Sequence, residues 1–163
     1  MKYKSFEDLP VWQAAIELAR YTYALTEHQA FRGHAGLHDQ LERAALSVSN
    51  NIAEGFERGS TNELLAFLYI ARGSSGEVRS MLCLLERIAG FSPLKSEIGK
   101  LKSSCLSISR QLYGWIEQLK NSEISGQRHL NDKVRTRTAE KKDEEEFLKE
   151  LARISPSVKP SEI

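Results

Sequence analysis

His34 and His38 stand four residues apart, the spacing at which two imidazoles on one helix face ligate a single metal ion, and Asp39 follows directly. Such a site needs a third ligand, and no cysteine pair supplies one, so the pair reads as an exposed loop-to-helix junction and no metal is assigned. Arg43, Asn50, Asn51, Glu54, Arg58, Arg72 and Glu77 fall beside or between apolar positions of helical patterns. Buried charge is costly unless paired, so these residues are expected to form an interhelical polar network. In that network Glu54 and Glu77 accept hydrogen bonds from Arg43, Arg72 or the backbone and fix the register of two helices. A catalytic carboxylate would call for a substrate pocket of varied groups, which no motif here announces. The chain contains no phosphate loop, no nucleophile elbow and no CxxC, and the run GSSG at 73–76 lies inside a helical pattern rather than after a strand. Neither catalytic residue nor cofactor is assigned, and the expectation is a protein that is not an enzyme.

Basic side chains are the other chemistry-bearing set. Arg72, Arg79 and Arg87 recur at steps of seven and eight, which puts them on one side of a helix, where they would contact phosphates. Further along, residues 128–142 hold six basic groups, Arg128, Lys133, Arg135, Arg137, Lys141 and Lys142, against Asp132 and Glu140, and five acids then crowd 143–150. Residues 1–120 carry 14 Lys+Arg and 13 Asp+Glu, so the body of the chain has little net drive toward nucleic acid.

Four helices are required to position these groups. Asp8 is placed as the cap of the first, with Pro10 in its opening turn and an end near Thr26. Leu37, Leu41, Ala44, Ala45, Val48 and Ile52 mark the second, stopped by a C-cap at Gly55. Ser60 and Glu63 form a capping box for the third, which runs to Gly90 and uses the small GSSG residues to approach a neighbour closely. Ser92 before Pro93 starts the fourth, where Leu94, Ile98, Leu101, Cys105, Ile108, Leu112, Trp115 and Leu119 repeat every 3.5 residues.

No strand pattern competes. Short turns between these helices imply an all-α, antiparallel up-down-up-down four-helix bundle over residues 1–120, with a charged C-terminal tail over 121–163. Within that tail, 144–154 has the pattern of a short helix before Pro156. Cys83 and Cys105 sit on apolar positions and read as small buried hydrophobes in a reducing cytoplasm. No run approaches the roughly 20 apolar residues of a membrane span.

Three blocks, FEDLPVWQAAIELA, QLERAALSVSNNIAEGFER and FLYIARGSSGE, resemble the bacterial four-helix-bundle family found in ribosomal RNA intervening sequences and, as the accessory variability determinant, in diversity-generating retroelements. The resemblance spans residues 6 to 118. It implies a homopentameric ring that, in the retroelement members, binds a reverse transcriptase and RNA or DNA through basic surface. The expected function is therefore a non-enzymatic oligomeric scaffold serving a reverse transcriptase. The alternative, of the intervening-sequence type, is a protein-interaction or structural oligomer with no nucleic-acid role. One departure stands out: the retroelement proteins are strongly basic, and this bundle is nearly neutral.

Overall fold

The computed structural model describes residues 3–121, and these form four long helices and three short 3-10 turns with no strand. Helix α1 spans Pro10–Thr26, α2 Ala35–Glu57, α3 Thr61–Leu85 and α4 Lys95–Lys120. Each packs on two others: α1 on α2 and α4, and α3 on α2 and α4. One continuous core runs through all four, from Leu18 and Leu41 through Leu68 and Leu82 to Ile108 and Ile116. Among the described residues no helix is long and apolar enough to cross a membrane. The expected short helix at 144–154 lies outside the described residues.

Tertiary packing changes the expected helix ends at four places. Asp8 does not cap α1; it closes a 3-10 turn, Phe6–Asp8, whose own cap is Ser5, and the residue before Pro10 is the buried Leu9. The Phe6 ring meets Trp12 edge-on at 5.1 Å, so hydrophobic contact rather than a side-chain cap sets the entry of the chain. Helix α3 ends at Leu85 instead of Gly90, and Ser92 and Pro93 fall within a 3-10 segment, Ala89–Leu94. Residues three apart eclipse in a 3-10 helix, so this segment turns both Phe91 and Leu94 inward. Phe91 then packs edge-on against Phe31 at 4.8 Å.

The fourth concerns Gly55, which is no C-cap. Helix α2 continues past it to Glu57, and a Cβ built on Gly55 would lie 2.7 Å from the Cβ of Phe67 on α3. Gly55 is thus a point where α2 lies too close to α3 to admit a side chain, and Gly73 and Gly76 are not. Cβ atoms at Gly73 and Gly76 would meet nothing within 4 Å, so both glycines face open space. The two serines between them carry the packing instead. Ser74 Oγ lies 2.9 Å from Ser47 Oγ on α2, and Ser75 Oγ donates to the Cys105 carbonyl on α4 at 3.1 Å.

Helix α4 also departs from a strict seven-residue repeat. Its buried residues are Ile98, Leu101, Cys105, Ile108, Leu112 and then Ile116, while Trp115 and Leu119 are only partly buried. A straight α-helix advances about 3.6 residues per turn, so a 3.5-residue pattern drifts off the core-facing line by the last turn and Ile116 replaces Trp115 there.

Candidate nucleic-acid interface

The charges of the described bundle are segregated. Residues 5–60, which include α1 and α2, carry four Lys+Arg and eight Asp+Glu; residues 61–121, which include α3 and α4, carry eight and five. Several basic side chains of the second half lie where α3 and α4 run side by side, whereas Lys100 lines the α1–α4 side. Arg72 reaches from α3 to α4, its Nε donating to Ser109 Oγ at 3.4 Å and its guanidinium lying 5.2 Å from the centre of the Tyr113 ring. Arg79, seven residues on, is near enough to α4 to act on the Cys105 thiol. Arg87 follows at the end of α3, where its Nη1 donates to the Cys83 carbonyl at 2.6 Å and satisfies a last-turn acceptor.

Helix α4 adds groups the sequence reading missed. Lys102 bridges to Glu86, which caps the end of α3, at 2.6 Å, and Arg110 lies one turn before Tyr113. Lys120 pairs with Glu117 at 3.1 Å and lies 5.8 Å from the centre of the Tyr69 ring. Hydrogen bonding to the Tyr69 hydroxyl, and secondarily to Glu117, pushes the Lys120 ammonium up to about 12, so it stays charged throughout the neutral range. The α3–α4 face thus bears Arg72, Arg79, Arg87, Lys102, Arg110 and Lys120 against Glu86 and Glu117, both already paired with lysines. Tyr69 and Tyr113 remain 44% and 51% exposed among them. Their signal in the sequence was their position off the apolar stripe, legible only once the α3–α4 pairing is known.

The polar network differs from the expected one. Glu54 and Glu77 are exposed, and Glu54 pairs with Arg58, just past the end of its own helix, rather than with Arg43 or Arg72. Between α2 and α3 the link runs over the surface: Arg43 donates to Gln40 Oε1 at 2.8 Å, and Gln40 Nε2 donates to Glu77. Asn51 Nδ2 donates to the Ser47 carbonyl at 2.7 Å, and Asn50 is exposed. These side chains follow the rim of the helix pair because the line between α2 and α3 is filled by Gly55, Ser47 and Ser74. A cavity of about 470 Å³ lies between α1 and α4, bordered by Tyr21, Leu25, Glu97 and Leu101, and neither Glu54 nor Glu77 reaches it.

The histidines do not converge. His34 packs its ring 5.5 Å from that of Phe91, whereas His38 sits between Asp39, at 2.9 Å, and Glu42, at 3.3 Å. Among the described residues no group of three or more such side chains is arranged to hold a metal ion. Cys105 is buried, and that burial pushes its thiol up to about 11; Cys83 is half-buried beside Lys102, and both thiols are free. Arg128, Lys133, Arg135, Arg137, Lys141 and Lys142 lie outside the described residues.

The packing of these helices defines the class, an all-α four-helix protein. Within that class the chain belongs to the 23S rRNA-intervening sequence protein family, whose family model matches residues 7–114 and so takes in nearly all of the three blocks noted above. Among curated proteins, none matches the chain.

Proposed function

We propose that this protein is a non-enzymatic, cytoplasmic scaffold that binds nucleic acid through its α3–α4 face, assembled as a ring of copies, most simply a pentamer, and serving a reverse transcriptase as its protein partner. The observation that carries the reading is the segregation of charge. Counterion release depends on the cations a phosphate backbone meets, not on the sum over the molecule. Six cations on one face are enough to bind phosphates although the body of the chain is close to neutral. Repetition of that face around a ring would multiply its avidity. The three-residue connection Arg58–Ser60 and the lateral packing of successive helices support an antiparallel up-down-up-down order.

A second reading, a structural oligomer without a nucleic-acid role, has its own support in the outer side of α3 and α2. Ile70 and Leu84 of α3 and Leu46 of α2 are exposed, and a Cβ at Gly73 would meet nothing within 4 Å. RNA titration at two salt concentrations separates the two. The intact protein, a version ending at Lys120, and an Arg72, Arg79, Arg87 triple alanine variant are compared. Binding that weakens steeply with salt and falls in the triple variant supports the first reading. Failure of the intact protein to bind at low salt leaves the second, and light scattering that reports an 18.4 kDa monomer at micromolar concentration removes the ring from either.

A further inference from the structure

The α3–α4 face carries more than charge. Two tyrosines are exposed on it, and each lies beside a cation from the opposite helix: Lys120 of α4 beside Tyr69 of α3, and Arg72 of α3 over Tyr113 of α4. Bare phosphate binding gives no reason for exposed rings in this alternation. Resting on the nucleic-acid reading above, we propose that this face is a single-strand platform, on which unpaired bases stack on Tyr69 and Tyr113 while Arg72, Arg79, Arg110 and Lys120 hold the adjoining phosphates.

The geometry of each tyrosine suits that role. Lys120 reaches the Tyr69 hydroxyl and lies over the ring, 5.8 Å from its centre, so it holds an ammonium beside a ring that stays 44% exposed. At Tyr113 the Arg72 guanidinium is held by Ser109 as well as by the ring, and a planar guanidinium is itself a surface on which a base stacks. Every base has a π-face, so such a platform is tolerant of sequence. A duplex keeps its bases stacked on one another and offers this face phosphates alone. A basic, ring-bearing face follows one strand. From Tyr69 to the end of α3 at Leu85 the stripe runs along about 24 Å, at 1.5 Å per residue, and Arg87 follows just beyond it.

The test uses the full chain and fluorescence anisotropy with an unstructured single-stranded DNA of about 16 nucleotides, a length within the range of such sites, and the same strand annealed to its complement. The expected result is tighter binding of the single strand than of the duplex. Changing Tyr69→Ala and Tyr113→Ala together weakens single-strand binding by about tenfold or more and leaves duplex affinity and the salt slope unchanged. The Tyr69→Phe, Tyr113→Phe pair, which keeps the rings and loses the hydroxyls, retains single-strand affinity. A thermal melt matching the parent protein excludes unfolding as the cause. Equal affinity for the two forms, or a double alanine variant that binds the single strand like the parent, overturns the platform and leaves the nucleic-acid reading standing. Loss of affinity in both the alanine and the phenylalanine pair shifts the role to the hydroxyls and also overturns stacking. If neither form binds at low salt, the nucleic-acid reading itself falls, and the platform with it.

Discussion

The two halves of the bundle use similar helices for opposite surfaces. The α1–α2 half carries twice as many acids as bases, and its carboxylates are spent locally: Glu17 on Arg20, Glu54 on Arg58, Glu42 on Thr26 and His38. The α3–α4 half carries more bases than acids, and Arg79 and Arg110 have no carboxylate partner among the described residues. A near-neutral total therefore conceals two poles. For a ligand that samples only one face, the relevant charge is that of the face, since the Debye length at physiological salt is about 8 Å and the opposite side is screened.

The sharpest way to break this comparison is to reverse charge on each half in turn. Arg72, Arg79 and Arg110 changed together to Glu should abolish measurable RNA binding. Arg20, Arg43 and Arg58 changed to Glu should leave affinity within a few-fold. The milder Arg→Ala triple on the basic half should lower the dependence of log affinity on log salt by about 2 to 3, because single-strand and duplex contacts contribute about 0.7 to 0.9 per phosphate. Equal losses from the two halves would show that overall charge, not its segregation, governs binding.

A second contrast sets Gly55 of α2 against Gly73 of α3. Gly55→Ala places a methyl against Phe67 and Leu64 and should destabilise the fold by about 1–3 kcal/mol in urea titration, as overpacking does. Gly73→Ala enters open space in a helix and should stabilise it by about 1 kcal/mol. If the two variants shift the midpoint in the same direction, the close approach at Gly55 is not real.

The two thiols make a third. With Cys105 raised by burial from an ordinary value of 9.0 to about 11, the unfolded chain releases that proton first as pH rises. Stability from this group is fully present below pH 9 and is lost between pH 9 and 11, by up to about 2–3 kcal/mol. Cys105→Val, similar in size and unable to ionise, should show a flatter stability profile over that window. A thiol reagent at pH 8 should modify Cys83 well before Cys105.

The smallest effects belong to the rim. Glu54 and Glu77 are exposed, so Glu→Ala at either should change stability by no more than about 0.5–1 kcal/mol in thermal melts, as for other surface ion pairs and hydrogen bonds. A loss several times larger would restore the buried network expected from the sequence.

What the sequence determined by itself was the helical class and most of the inward face of each helix, the last turn of α4 excepted, because the 3.6-residue period of apolar side chains is a local property. The Ser60 and Glu63 capping box was equally legible, since its partners lie three residues apart and close on each other: Glu63 N–H donates to Ser60 Oγ at 3.3 Å. The family was legible in the three blocks. Tertiary structure decided everything that depends on a neighbour. It made Gly55 a contact instead of a stop, because Phe67 of α3 lies against it. It turned Phe91 and Leu94 inward through a 3-10 segment and set the start of α4 after the proline. It brought Tyr113 under Arg72 and Lys120 beside Tyr69, pairs separated by 41 and 51 positions in the chain. No periodicity within one helix encodes such a pair; it exists because the hydrophobic faces of α3 and α4 are buried side by side in one shared core, and their outer side chains are then carried together.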